Sequence, residues 1–132
     1  MRNYLIAIGT KTPAWIGQGF GYYARRLPKH CSLDLVEIPA VNRKRGGIDS
    51  IRHEEGRRLL DRIPKNCRVI ALSEDGKPVT TGALAAELSA RMRDGNGLAL
   101  LAGGADGLPR QCLEHAEDCW SLSALTFPHA LV

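Results

Sequence analysis

Five short apolar segments alternate with longer amphipathic or charged segments along this chain, and that alternation constrains the fold more than any other feature. Apolar runs of this length, bounded by glycine, proline or polar residues, predict buried strands. The predicted strands are residues 4–8, 33–38, 68–72, 98–102 and 120–125. Strands that alternate with helices predict an α/β fold with a mostly parallel sheet and helices on both faces.

Two helices are predicted in the first half of the chain. Thr12 and Pro13 are expected as the N-cap and the first position of a helix that Pro28 ends. A long, charged helix is expected over residues 48–63. The positions expected to face the core are Ile16, Phe20, Tyr23, Leu27, Ile51, Leu59, Leu60 and Ile63.

Two further helices are predicted in the second half. A turn is expected at residues 73–78, after which Thr80 or Thr81 caps the third helix. The fourth helix is expected over residues 109–119. The positions expected to face the core are Leu84, Leu88, Met92, Leu113 and Ala116.

The composition is that of one soluble globular domain, which we expect to span residues 1–132. Hydrophobic residues make up 44% of the chain and charged residues 24%, values that do not suit a disordered chain. No apolar run reaches the roughly 18 residues needed to cross a bilayer, and the first residues lack the features of a secretory signal. We therefore expect a cytoplasmic protein.

The cysteines and histidines give no metal-binding pattern. No two cysteines have the C-x-x-C spacing of zinc and redox motifs, and no histidine has ligand spacing to another histidine or cysteine. In a cytoplasmic chain such cysteines are expected to be free, partly buried thiols. The cysteines are Cys31, Cys67, Cys112 and Cys119.

The chain has a net charge of +4 and an isoelectric point near 9.1, which suits a nucleic-acid partner without demanding one. The positive residues are clustered, and several clusters in one short chain favour contact with phosphates. For any single cluster, the alternative is a solvated helix face. The clusters are Arg25, Arg26 and Lys29; Arg43, Lys44 and Arg45; and Arg57, Arg58, Arg62 and Lys65.

Two segments near the end of the chain are candidates for a ligand site. The glycine turn Gly103-Gly104-Ala105-Asp106-Gly107 follows a predicted strand, and glycines there would let a ligand approach the backbone. The alternative is a tight turn between strand and helix. The second segment, residues 121–129, is apolar and rich in hydroxyl groups, as suits a loop around a flat cofactor. The alternative there is an ordinary buried strand and turn.

Parallel α/β sheets bind ligands beyond the carboxyl ends of their strands. Leu72, Gly103 and residues 122–127 all lie at or after predicted strand ends. We therefore expect these residues to line one crevice. His129 lies close to them in sequence, and a structural role is the alternative to a functional one.

Several segments taken together carry a family resemblance. They are Ala7-Ile8-Gly9-Thr10-Lys11, residues 23–29, residues 36–40, Glu55-Gly56, Gly76-Lys77-Pro78, residues 84–88, the turn from Gly103 to Leu108, and residues 120–129. On these segments the chain resembles the bacterial ribosomal RNA large subunit methyltransferase H family, the pseudouridine N3-methyltransferases of the SPOUT class. The resemblance covers nearly the whole chain, and its last segment is long and specific.

The resemblance implies a fold, a reaction and partners. It implies a trefoil knot in the C-terminal part, a homodimer, and S-adenosylmethionine as the donor of a methyl group to N3 of a pseudouridine in large-subunit ribosomal RNA. His129 and Thr126 are the residues expected to make polar contacts near the substrate, and the catalytic base is not identified. The first two basic clusters are expected to bind RNA. The implied cofactor contacts are Leu72, Gly103, Leu122, Ser123, Ala124, Leu125, Thr126 and Phe127.

The resemblance also predicts a difference at the C-terminus. Members of the family continue beyond the Pro128-His129 segment with a terminal helix and tail, whereas this sequence stops at Val132. We therefore expect a C-terminally truncated SPOUT-like domain with an incomplete knot. The alternative functions are a non-catalytic remnant that binds RNA or ribosomes, and a cofactor-binding domain that acts on another RNA.

Overall fold

The computed structural model describes residues 1–9, 13–41, 47–103 and 107–125. The chain forms strands and helices in alternation, and one short 3-10 helix, Lys29–Cys31, leads into β2. The strands are β1 Arg2–Ile8, β2 Ser32–Ile38, β3 Cys67–Pro78, β4 Gly97–Ala102 and β5 Asp118–Ser121. The helices are α1 Ala14–Ala24, α2 Ile48–Asp61, α3 Thr81–Asp94 and α4 Arg110–His115.

All five strands form one parallel sheet in the order β2-β1-β4-β3-β5. Its side chains alternate between two apolar clusters, because successive residues of a strand point to opposite faces. Val69 and Ala71 pack with α2 and α4, whereas Ile70 between them packs with Leu84 and Leu88 of α3. Helices therefore cover both faces, and the predicted α/β fold is confirmed.

Asn3 ties three strands together where the sheet begins. Its buried side chain donates from Nδ2 to the Ser32 carbonyl at 3.0 Å, and its Oδ1 accepts from the Leu98 amide at 3.0 Å. A buried amide with both groups paired contributes stability that an apolar side chain could not replace, since two backbone groups would be left without partners. Asn3 thus helps to fix the register of β1 against β2 and β4.

The helix ends follow the predicted capping chemistry in part. The Thr80 side chain caps α3 by accepting from the Ala83 amide at 3.0 Å, and Gly95 ends that helix with a φ of 78°. The N-cap of α1 is Pro13, not Thr12 as predicted, and Thr12 lies outside the described residues. The first helix therefore starts one residue later than expected.

α1 departs most from the predicted core. None of its residues is fully buried. Ile16 and Phe20 are half-buried, but Tyr23 and Leu27, which the helical spacing predicts to face the core, are exposed. Helical spacing identifies an apolar face, but it does not show whether the same chain covers that face.

The other helices place most of their predicted core residues correctly. Ile51 and Leu59 of α2 are buried, whereas Met92 at the end of α3 is exposed. α4 is shorter than predicted, and its buried residue is Cys112, while Leu113 is exposed. The inward prediction was therefore wrong for Met92 and Leu113.

β3 and its neighbour β5 differ in length from the sequence prediction. β3 continues through residues 73–78, where a turn was expected, because the chain returns to pair with β5 after a bulge. β5 ends at Ser121, so residues 122–125 are loop and not strand. Among the described residues, none of the helices is long and apolar enough to cross a membrane.

Candidate functional site

Three neighbouring strands, β4, β3 and β5, reach their carboxyl ends at the same side of the sheet, its carboxyl edge. β3 lies between β4 and β5, and Ala71 pairs with both Leu101 and Cys119. This register puts Leu72 at the level of the strand ends that lead into Gly103 and Leu122. The three residues that sequence reasoning grouped are therefore at adjacent strand ends, where parallel sheets bind ligands. Their role in holding a cofactor remains a prediction.

The loop after β5 is shaped by its own hydroxyl groups. Ser121 Oγ donates to the Ser123 carbonyl at 2.9 Å, and Ser123 Oγ accepts from the Leu125 amide at 3.0 Å. The Ser121 carbonyl in turn accepts from the Val79 amide at 3.1 Å. The hydroxyls turn the chain and the backbone bond from Val79 anchors it to the end of β3, so local hydrogen bonds account for the positions of the two serines.

The same loop presents apolar side chains to solvent. Leu122 is 49% exposed and directly follows Ser121, which pairs with Pro78 at the end of β3, and Leu125 is 68% exposed in the loop that follows. Exposed leucines after a strand end are candidates for contact with a flat, partly apolar group. Thr126, Phe127 and His129 lie outside the described residues, so their predicted roles stay predictions.

The glycine turn is closed by the chain itself. A Cβ on Gly103 would overlap the carbonyl carbon of Gly107 and lie 2.5 Å from the amide nitrogen of Leu108. Beyond it, the Leu108 carbonyl accepts from Arg52 Nη2 at 2.8 Å. The missing side chain at Gly103 thus makes room for the turn's own backbone, and the predicted approach of a ligand to Gly103 stays a prediction.

A charged group beside this edge was missed in the sequence. Asp118 Oδ2 accepts from Lys77 Nζ at 2.9 Å and from Trp120 Nε1 at 3.0 Å. The hydrogen bond from Lys77 is the main cause that lowers the pKa of Asp118 to about 2. Gly76-Lys77-Pro78 is part of the family resemblance, but only the fold shows that Lys77 meets Asp118.

Three of the four cysteines, Cys67, Cys112 and Cys119, are unsuited to act as nucleophiles. Burial raises the pKa of the Cys112 thiol to about 11 and also raises the pKa values of Cys67 and Cys119. All four cysteines are free. Thiols with raised pKa values stay protonated at neutral pH and are poor nucleophiles. Within the described ranges, no group of three histidine, cysteine or acidic residues could hold a metal ion.

The basic residues of the first cluster lie at the opposite edge of the sheet from the crevice. The amino group of Met1 donates to the His30 carbonyl at 3.0 Å, which places Arg25, Arg26 and Lys29 near the start of β1. These three side chains are exposed and form no ion pair with the described residues. They are free to contact phosphates.

The second basic cluster falls outside the described residues, which include neither Arg43, Lys44 nor Arg45. The segment before it leaves the carboxyl end of β2, at the same edge as the crevice. There the Pro39 carbonyl accepts from Arg58 Nη1 at 2.9 Å. The Val41 amide donates to the buried carboxylate of Glu55 at 3.3 Å. The segment that leads into this cluster is thus fixed against α2.

Ion pairs along α2 occupy two members of the third cluster. Arg57 contacts Glu54 at 2.6 Å and Asp61 at 3.2 Å, and Arg58 contacts Glu54 at 3.3 Å. The hydrogen bond from Arg57 is the main cause that lowers the pKa of Glu54 to about 2. A solvated helix face is the better interpretation of Arg57 and Arg58, whereas Arg62 and Lys65 are exposed and form no ion pair with the described residues.

Comparison with known proteins gives the same family along the whole chain. The family described as "Predicted SPOUT methyltransferase" matches residues 1–132. The Ribosomal RNA large subunit methyltransferase H of Thioalkalivibrio sulfidiphilus (strain HL-EbGR7) is 49% identical over 133 aligned positions, covering 100% of this chain and 85% of that protein. The protein of the same name from Hydrogenovibrio crunogenus (strain DSM 25203 / XCL-2) is 41% identical over the same coverage.

Gly103→Ala tests whether the glycine turn is closed by backbone contact. We expect it to lower the free energy of unfolding by about 1–3 kcal/mol, since the methyl group must push the peptide between residues 107 and 108 away. Urea denaturation measures this change. The control is Gly82→Ala in α3, where the nearest atom to a new Cβ is 3.9 Å away. Equal stabilities of the two variants would contradict the close approach.

Proposed function

This chain belongs to the SPOUT methyltransferase family, and on that premise we propose that it methylates N3 of a pseudouridine in large-subunit ribosomal RNA with S-adenosylmethionine as donor. The relatives that bear an rRNA methyltransferase name support the reaction class, and they are 41–49% identical to the whole chain. We take residues 1–132 as one methyltransferase domain that acts in the cytoplasm. We further propose that its C-terminal part contributes to the family's trefoil knot, a rare exception to unthreaded chains.

The observation that carries the proposal is the edge where β4, β3 and β5 end. Leu122 presents apolar surface there, at the strand ends that lead from Leu72 and into Gly103, and Leu125 is exposed in the loop that follows. An adenine ring is flat and partly apolar, so it suits leucine side chains, while backbone groups at open strand ends can bind its polar edge. Ser123, Ala124, Thr126 and Phe127 complete the proposed contacts.

The proposed reaction requires little covalent chemistry from the protein itself. When bound, S-adenosylmethionine supplies a methyl group already activated on a sulfonium sulfur. The protein must align the acceptor nitrogen in line with that methyl group, which is a matter of positioning. The acceptor nitrogen also loses its proton as it gains the methyl carbon, so a base or polarising partner is needed. We propose His129 and Thr126 as the polar groups nearest that step.

The basic clusters are proposed to hold the RNA. Arg25, Arg26 and Lys29 are exposed and have no acidic partner among the described residues, which suits phosphate contact. Arg43, Lys44 and Arg45 follow a segment anchored at the crevice edge, so we propose that they hold RNA close to the acceptor base. In this proposal RNA contacts lie both near the start of the strands and near their carboxyl ends.

A homodimer is proposed through the uncovered face of α1. Trp15 is 54% exposed and Tyr23 is 67% exposed, and Tyr22 packs edge-on against Tyr23 with ring centroids 5.2 Å apart. An apolar helix face of this kind is normally covered in a soluble protein. A second copy of the same helix provides a self-complementary cover, as two-fold interfaces require.

Donor binding and methyl transfer test the proposed reaction. We expect calorimetry to show binding of S-adenosylmethionine, and radioactive donor to label large-subunit ribosomal RNA. Leu125→Glu should weaken donor binding by roughly tenfold or more, because it puts a charge against the apolar ring. Met92→Glu, at an exposed apolar position of α3, is the matched control.

The outcome of the same assays separates the alternatives. Binding of RNA without any donor binding would contradict the proposal and indicate a non-catalytic RNA-binding protein. Labelling of transfer RNA but not of ribosomal RNA would overturn the assigned substrate while leaving the cofactor in place.

Salt dependence tests the basic cluster after α1. The double variant Arg25→Ala/Arg26→Ala should reduce the slope of log K against log salt by about 0.7–0.9 for each phosphate that the protein no longer neutralises. The control double variant is Arg57→Ala/Arg110→Ala, which removes the same charge from residues already in ion pairs. Equal slopes in the two variants, measured by RNA filter binding, would show that the cluster does not touch phosphate.

Sedimentation equilibrium tests the dimer. We expect the unchanged protein to sediment as a dimer, and Trp15→Ser/Tyr23→Ser to shift it to a monomer because the interface then covers much less apolar area. Met92→Ser is the control for an exposed apolar residue elsewhere. A monomeric unchanged protein, or a dimer untouched by the double variant, would refute this interface.

A further inference from the structure

A four-residue bulge interrupts β3 where it reaches the crevice. Leu72 and Lys77 both pair with Trp120 of β5, so residues 73–76 leave the ladder between them. Within the bulge, the Asp75 amide donates to Ser73 Oγ at 3.3 Å. The chain then rejoins β5, where Pro78 pairs with Ser121. The bulge therefore lies between Leu72 and the loop that begins at Leu122.

The bulge rests directly on the main chain of β5. A Cβ on Gly76 would lie 2.6 Å from the carbonyl carbon of Trp120 and 2.8 Å from the carbonyl oxygen of Cys119. Contacts this short leave no room for a side chain, so only glycine allows the return. A bulge packed this closely changes the path of both strands if it moves.

One carboxylate connects the two ends of the bulge. Asp118 Oδ2 accepts from Lys77 Nζ, which follows the bulge, and lies 3.8 Å from a guanidinium nitrogen of Arg68, which precedes it. The same oxygen accepts from Trp120 Nε1, and Oδ1 accepts from the Cys119 amide at 2.9 Å. Asp118 is thus held by β5 while it holds β3 on either side of the loop.

The charge of Asp118 persists at any working pH. The hydrogen bonds from Lys77, Trp120 and Cys119 lower the pKa of Asp118 to about 2. Arg68 is shared with Glu87 and Glu117 on the same face, so Lys77 is the cation that Asp118 does not share with another described carboxylate. The Lys77–Asp118 pair is the part of the network that a single substitution can remove cleanly.

We propose that Asp118 is a positioning residue for the methyl-donor crevice, where it holds the bulge of β3 so that Leu72 and Leu122 stay at a fixed separation. The inference rests on the proposed function for its ligand, but the clamp itself is a property of these strands. Val79, which follows the bulge, donates to the Ser121 carbonyl just before Leu122. Movement of the bulge is therefore passed to both walls of the crevice.

Donor affinity in two variants tests the positioning role. Asp118→Asn removes the charge and Lys77→Met removes its partner. Each should raise the Kd of S-adenosylmethionine on the order of tenfold, with kcat at saturating donor nearly unchanged, since the clamp orders the binding walls and touches no reacting atom. Lys77→Arg keeps the positive charge, so it should keep most of the affinity of the unchanged protein for S-adenosylmethionine.

The matched control is Asp34→Asn. Asp34 also sits in a strand and contacts Arg2 at 2.8 Å, but near the start of the sheet. The Asp118 side chain is 24% exposed against 43% for Asp34, so Asp118→Asn should unfold at a somewhat lower urea concentration, and donor affinity is compared at a temperature where both variants are fully folded. If Asp118→Asn loses affinity only in proportion to a general loss of stability, or binds the donor as the unchanged protein does, the positioning role is wrong.

Hydrogen exchange gives a readout that does not need the donor. Amides in the peptide covering residues 72–79 should exchange faster in Asp118→Asn than in Asp34→Asn. Unchanged exchange there would overturn the clamp even if donor affinity fell. If the unchanged protein binds no donor at all, the proposed cofactor fails and the crevice role with it, whereas faster exchange would still establish that Asp118 holds the bulge.

Discussion

The parallel pairing of β3 with both β4 and β5 is the constraint on which the site depends. Residues distant in sequence become neighbours because the carboxyl ends of parallel strands meet at one edge. Leu72, Gly103 and Leu122 lie at three different strand ends. They are far apart in sequence, so only the pairing of the strands brings these ends together. Asn3 supports the same arrangement from the far side, because it sets the level of β4 against β1 and β2.

Much of the fold was predictable because its signals are local. Apolar runs closed by glycine and proline located the strands, and Thr80 capped α3 as its residue type predicts. The failures have tertiary causes. Residues 73–78 carry turn residues, but residues 73–76 form a bulge within β3, and pairing of Lys77 with Trp120 continues the strand. Tyr23 has helical core spacing, yet no element of the described chain covers it.

The grouping of the candidate site residues was predictable, because parallel topology alone brings strand ends together. Their role in binding a cofactor is a proposal. The roles of individual side chains follow only from the three-dimensional structure. Gly103 makes room for its own turn, and the hydroxyls of Ser121 and Ser123 bond within their own loop. Asp118 gave no signal in the sequence because its partner Lys77 is 41 residues away.

The position of Arg25 and Arg26 near the start of β1, far from the proposed crevice, sets the size of RNA that the proposed contacts require. β1 has seven residues, so its first and last Cα atoms lie about 20 Å apart, at roughly 3.3 Å for each of six steps. An RNA that touches Arg25 or Arg26 on one protomer and the crevice of the same protomer must span that distance. A free nucleoside or a short fragment cannot do so. Such a footprint favours recognition of an extended or folded RNA surface over recognition of a local base sequence.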